Sequence, residues 1–199
     1  MRRSSGPLAR LVLPIETPRV RLRLPTSRDV PDLRRSFRDV RTARAEGAAL
    51  HSDEEKRNPL KMVKRTWSEY RAGTDLSLSV ILRSDGRCIG RVGLRGFDWN
   101  WHTVASLSYW IDPRFWNLGY ATEASWFLCQ AAFSRLGLRR ISSSALDGNV
   151  ASLRVLKKLG FVYEGRQREA VRVRGRSMDM RLYGLLRREL VAGSSRADR

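Results

Sequence analysis

Three apolar runs of strand length follow one another between Leu76 and Ile111, and beyond them the apolar spacing changes from two to three or four. No other feature of the chain constrains its fold as much. Leu76 to Leu82 and Cys88 to Phe97 flank the turn Ser84-Asp85-Gly86 and read as a hairpin. Val104 to Ile111 adds a third strand after the loop Asp98 to Thr103, and Pro113 stops it. Ala121, Ala124, Leu128, Ala131 and Ala132 then recur at helical spacing up to Leu136, and Gly137 closes that helix. A strand over Arg140 to Leu146, a helix over Val150 to Leu159 ended by Gly160, and strands over Phe161 to Arg168 and Met178 to Leu186 complete the set. The order predicts an α+β fold, a mixed sheet with helices covering its faces.

Upstream, Val20, Leu22 and Leu24 alternate with Arg19, Arg21 and Arg23, the pattern of a half-exposed strand. Thr26 or Ser27 offers a cap for a helix reaching about Asp39, and Leu60, Val63, Trp67 and Tyr70 mark a second helix over Asp53 to Arg71, with a loop around Gly47 between them. Arg10 and Pro14 interrupt the short apolar stretch Leu11 to Leu13, so residues 1–17 read as a loose basic tail and not an export leader. One domain over 18–190 and a second flexible tail over 191–199 are expected. With 42% hydrophobic and 30% charged residues and no long apolar run, a soluble, cytoplasmic chain is expected, with no membrane partner. Cys88 and Cys129 lie among apolar neighbours and read as core residues. His51 and His102 lack a second ligand at metal spacing, so no metal is expected.

The 39 basic residues against 20 acidic ones give a net charge of +19, almost all of it from arginine. Such a surface attracts phosphorylated cofactors, acidic proteins and RNA. Genomic base composition favouring arginine codons explains it equally well. Apart from a denser run at Arg166, Arg168, Arg172, Arg174 and Arg176 the arginines are spread along the chain, and no aromatic-interleaved stripe typical of a nucleic-acid module is present.

The chemistry concentrates in Tyr109 to Ala124, where a strand, a proline-terminated turn and Gly119-Tyr120-Ala121-Thr122 open a helix. Gly119 lets backbone approach a ligand, and the free amides of a helix start suit a diphosphate. Asp147-Gly148-Asn149 joins the next strand to the next helix, with Asn149 placed to cap and Ser152 three residues on.

In combination these segments resemble the GNAT superfamily of N-acetyltransferases from about Pro18 to Glu189. Trp116-Asn117-Leu118-Gly119-Tyr120-Ala121 matches the second half of that family's diphosphate loop. Thr122-Glu123-Ala124, Asn149, Ser152, Leu159-Gly160-Phe161, Glu164-Gly165, Asp179 and Tyr183 resemble the branch that acetylates the N-terminal alanine of ribosomal proteins. The resemblance implies a mostly antiparallel sheet with splayed parallel strands, and acetyl-CoA as acyl donor. It implies that the amides of Leu118, Gly119, Tyr120, Ala121 and Thr122 cradle the diphosphate and that strands ending near Ile111 and Leu146 admit the pantetheine arm. Asn149 would bond that arm, and Ser152 would lie near the sulfur and protonate the departing thiolate. Ser152 also suits a helix first turn bonding a backbone amide, and Glu123 suits a helix N-terminus without any catalytic part.

Related enzymes carry glutamate where Ser106 stands, glycine at Ser108, a polar residue at Trp116 and often glycine at Asn117. With no carboxylate on that strand before Asp112, the protonation state of the acceptor matters. An α-amine of pKa about 7.7 is roughly one-sixth neutral at pH 7, a lysine near 10.4 about one part in 2,500. An α-amine or a small amine of low pKa is therefore the expected acceptor, and the resemblance implies the α-amine of a protein N-terminus, such as a ribosomal protein; water, Asp98 or His102 would relay the proton, although an exposed turn is the commoner reason for Asp98 and His102. Arg34, Arg35, Arg38, Arg41 and Arg44 would suit contact with an acidic protein or the ribosome. A small amine, such as an antibiotic or polyamine, and a CoA- or RNA-binding module without turnover remain alternatives.

Overall fold

The computed structural model describes residues 7–39, 41–42, 53–99, 103–173 and 175–190. Eight strands form one sheet: β1 (Ile15–Glu16), β2 (Val20–Arg23), β3 (Asp75–Leu82), β4 (Cys88–Asp98), β5 (Val104–Ile111), β6 (Arg140–Leu146), β7 (Val162–Val173) and β8 (Arg176–Leu186), in spatial order β1-β2-β3-β4-β5-β6-β8-β7. β5 and β6 run parallel, and the other neighbouring pairs are antiparallel. Among the described residues five helices flank the sheet: α1 (Val30–Arg38), α2 (Asp53–Arg57), α3 (Pro59–Ala72), α4 (Tyr120–Ala131) and α5 (Val150–Leu159).

Strand alternation divides the interior in two. Leu76, Leu78, Val80 and Leu82 of β3 join Ala105, Leu107 and Ile111 of β5 and the buried faces of α4 and α5 in the main core. On the other side Ile81, Cys88 and Trp110 meet Leu33 of α1 and Met62 of α3. Cys88 and Cys129 are both free and buried.

Four segments differ from the sequence reading. Residues 7–17 are not a loose tail: Leu8, in the 3-10 turn Pro7–Arg10, and Leu11 are buried in the main core, and β1 pairs with β2. A spacing of three brings both leucines to one side of such a turn, although Arg10 and Pro14 break the apolar run. The helix expected over Asp53 to Arg71 is two helices, because Pro59 lacks the N–H needed inside a helix and opens α3 at its first position. The Ala121–Leu136 helix is α-helical to Ala131 and continues as a π turn over Ala132–Leu136, where Gly137 caps it at φ +71°. β7 runs on to Val173, past a register shift between Gln167 and Val171. Residues 1–6, 191–199, Arg44, the loop around Gly47, His51 and His102 lie outside the described residues.

Candidate active site

β5 ends on a pinned corner. Asp112, with a side chain 1% exposed, accepts hydrogen bonds from Ser36 Oγ of α1, from Arg114 Nε at 2.9 Å and from the Arg114 backbone at 2.9 Å. Burial alone would raise its pKa, but these donors from Arg114 and Ser36 outweigh it and hold the carboxyl down at about 2. From this corner the chain turns through two left-handed residues, Asn117 at φ +61° and Gly119 at φ +80°. Asparagine tolerates that region better than most side chains, so Asn117 keeps the turn where related sequences often have glycine.

α4 starts immediately after the turn. Its first amide bond runs from Glu123 N to the Gly119 carbonyl at 3.0 Å, and the amides ahead of it lack an intrahelical acceptor by helix geometry. Those amides and the positive end of the helix dipole make the 118–122 segment an anion-receiving end.

A clamp that the local sequence did not reveal holds this segment. Glu123 accepts from Thr17 Oγ1 at 2.6 Å, from the Arg19 backbone at 2.8 Å and from Arg19 Nε at 2.6 Å. Arg19 Nη1 donates in turn to the Leu118 carbonyl at 2.9 Å, and its guanidinium stacks 4.7 Å above the Tyr120 ring. The only trace of Arg19 in the sequence was its place in the β2 alternation. Glu123 is thereby fully committed to the clamp, and these donors keep its pKa below the ordinary value against the effect of burial.

Between β5 and β6 the sheet opens. Ladder pairing joins Val104 to Arg140, Ala105 to Ile141 and Ser106 to Ser142, and stops there, although β5 continues to Ile111 and β6 to Leu146. Beyond that point Ser143 Oγ donates to the Leu107 carbonyl at 3.1 Å, a side chain taking the place of a backbone donor. Asp112 N bonds the Ile89 carbonyl of β4 at 2.8 Å, so by strand alternation the backbone groups of Ile111 and Tyr109 face the gap. The Ile111 carbonyl already accepts from Trp116 Nε1 at 2.6 Å, which anchors that indole at the end of β5 with 36% of the residue exposed.

The gap is closed at its α5 side by Tyr109. Its hydroxyl donates to the Ser152 carbonyl at 3.1 Å and lies 2.9 Å from Ser152 Oγ. Asn149 Oδ1 accepts from Ser152 N at 3.1 Å, so Asn149 caps α5 and fixes Ser152 in its first turn. Burial pushes the Tyr109 pKa up, and its phenol stays protonated at neutral pH. Thus Tyr109, Ser152 and Asn149 are bonded together at the start of α5. Tyr109 lies 43 positions from its partner Ser152. Ser106 stands opposite Arg95 and Ser142, and Asp98 ends β4 half-buried across from Val104.

Residues 19–162 match the acetyltransferase (GNAT) domain. The chain belongs to the GNAT family. This GNAT chain is 35% identical over 105 residues, 53% of its length and 57% of the relative's, to YdaF of Bacillus subtilis, named as a candidate ribosomal N-acetyltransferase. It overlays RimJ of Mycobacterium smegmatis, solved with CoA-disulfide, at TM-score 0.77 and 23% identity over 87% of this chain and 85% of that one. The ribosomal-protein-S5-alanine acetyltransferase of Vibrio fischeri overlays at 0.78 and 19% identity, over 88% and 97% of the two chains. At those identities the overlays establish the fold. The GNAT chain is an acyl-CoA-dependent N-acetyltransferase, and acetyl-CoA is its acyl donor. Among the described residues no three of His, Cys, Asp or Glu are placed to hold a metal, and no helix is long and apolar enough to cross a membrane.

Proposed function

We propose that this GNAT enzyme acetylates the α-amine of a protein N-terminus, a ribosomal protein being the leading acceptor, by direct attack of the amine on the thioester, and that it works in the cytoplasm. The single observation that carries the choice of amine is Ser106, a serine at the point on β5 where a base would be needed for a strongly protonated acceptor. The names borne by YdaF and by the Vibrio fischeri structure support the ribosomal reading. The exposed arginines of α1, Arg34, Arg35 and Arg38, suit contact with an acidic protein or the ribosome.

Bound acetyl-CoA supplies the activated acyl carbon and the thiolate leaving group. The amides of Leu118 to Thr122 hold the diphosphate, with the Arg19 guanidinium beside them. The edges of Tyr109 and Ile111 take the pantetheine arm in the strand gap, and Asn149 borders it. As the C–N bond forms and the C–S bond breaks, Ser152 Oγ gives its proton to the departing sulfur and regains, through water, the proton that the attacking amine sheds. The neutral Tyr109 hydroxyl, 2.9 Å away, orients that hydroxyl, and Tyr109 is a positioning residue.

The test is CoA release in the presence of ribosomal N-terminal peptides, each compared with its α-acetylated form that retains a lysine side chain. Release with the free α-amine and little with the blocked peptide is expected. Faster transfer to lysine would overturn the choice of acceptor.

A further inference from the structure

The sheet face under α3 is built unlike the rest of the interior. Across three strands Ser77, Gly93 and Ser108 stand in register, so the floor there is low and polar where the opposite face is packed with leucine. Gly93 is held to its size by backbone, since a Cβ on it would lie 2.6 Å from the Leu76 carbonyl. α3 passes above with Thr66 and Glu69, leaving a solvent-open cleft with a cavity of about 30 Å³ at its floor, room for the tip of a side chain or chain end and not for a whole substrate. Ser108 precedes Tyr109 on β5, so the cleft adjoins the strand gap from the face opposite α5.

One wall of the cleft is Arg91, only 3% exposed. Among the described residues its hydrogen bonds both leave from Nη2 and go to neutral oxygens, Thr66 Oγ1 at 2.7 Å and the Ser77 carbonyl at 3.3 Å. Nε is buried and meets no acceptor among the described residues. The nearby carboxylates are engaged by other arginines: Glu69 takes Arg65 at 2.6 Å, and Asp75 lies 3.8 Å from Arg95. Burial lowers the Arg91 pKa to about 10, which leaves it charged at neutral pH. A buried cation without an anion bonded to it is costly, and packing alone would be served as well by an apolar residue.

Resting on the transferase reading, we propose that Arg91 receives a carboxylate carried by the acceptor, so that the preferred substrate is a primary amine with a carboxylate close by. A monoanion fits better than a phosphate dianion, because Glu69 and Asp75 border the same cleft. The carboxylate comes from one of two sources: an acidic side chain in the first positions of a peptide, or the α-carboxylate of a free amino acid.

The experiment compares kcat/KM, expressed per neutral amine, for matched pairs at about pH 7.5, where Arg91 keeps its charge. A peptide beginning with aspartate is set against the same peptide beginning with asparagine, and free alanine against alaninamide. Wild-type enzyme is expected to favour the carboxylate member of one pair at least tenfold, and the pair that shows it identifies the source. In Arg91→Gln that ratio falls to within about twofold of one, a change that a purely structural arginine would not produce. Equal kcat/KM within both wild-type pairs, with turnover present, overturns the carboxylate site and leaves the transferase reading standing. No CoA release with any amine, together with no acetyl-CoA binding, overturns both. Should Arg91→Gln not fold, the wild-type pairs decide alone.

Discussion

Removing the Glu123 carboxylate tests whether the loop is held from below by a clamp or whether this residue takes part in chemistry. The side chain is 11% exposed and accepts three hydrogen bonds, from Thr17 Oγ1, the Arg19 backbone and Arg19 Nε. A bond to a charged group contributes about 1.5–3 kcal/mol. The Arg19 side chain is 38% exposed, so its ion pair is discounted toward the surface value of about 0.2–1 kcal/mol. The two remaining donors regain water in part, and Glu123→Ala should cost about 2–4 kcal/mol in all. For a chain of this size that is a fall in Tm of roughly 5–15 °C. Because Arg19 also holds the Leu118 carbonyl, the KM for acetyl-CoA should rise about tenfold while kcat stays within about threefold. Glu123→Gln keeps the shape and should lose about half as much. The Glu123 pKa is lowered in the folded state, so its stabilisation is present above its unfolded value near 4.3 and is lost as pH falls through the folded one. The Tm gap between wild type and Glu123→Gln should accordingly narrow in acid. Thermal melts and initial rates against acetyl-CoA measure all of this. An unchanged Tm with a hundredfold fall in kcat would refute the clamp and make Glu123 the base.

Three further outcomes are expected. Ser152→Ala should lower kcat about a hundredfold with little change in the acetyl-CoA KM, and Tyr109→Phe, which removes one orienting hydrogen bond, only about fivefold; steady-state rates separate them. On a peptide α-amine the rate should rise between pH 7 and 8 and level off near 9, whereas on lysine it should climb about tenfold per unit, the neutral fractions at pH 7 differing about 400-fold; a lysine profile that levels off as early would point to a base in the enzyme. Asp112, held at about 2, stabilises above its unfolded value near 3.8 and ceases to do so as pH falls toward 2, so Asp112→Asn should melt several degrees lower at pH 7 and lose less on acidification than wild type.

What the sequence disclosed and what it hid follow from the range of the forces involved. β5, β6 and α5 were readable to the residue because each has an apolar period and a local stop: Pro113 after Ile111, Gly137 ahead of Arg140, the Asn149 cap and the Gly160 terminus. The helical period runs on across Pro59, whose missing N–H divides the helix, and residues 7–17 enter the core through two isolated leucines that carry no period. β7 ran on past Arg168 because its outer residues are exposed, so nothing in their polarity marked where pairing stopped.

The site divides along the same line. The turn at Asn117 and Gly119 and the cap at Asn149 are local backbone chemistry, and they were visible in the sequence. The Glu123–Arg19 clamp spans 104 positions, Tyr109 meets Ser152 across 43, and the Arg91 cleft depends on Ser77, Gly93 and Ser108 coming into register on three strands. A resemblance can transfer the local motifs, since each is written in consecutive residues. It transfers the long-range set less well, because each member is an ordinary residue until the sheet assembles. The cleft proposed for the acceptor belongs to that second kind. Acceptor choice in this enzyme should therefore follow Arg91 and its serine floor more closely than it follows the diphosphate loop, and substitutions at Ser77 or Ser108 should change which amine is used while leaving the affinity for acetyl-CoA largely alone.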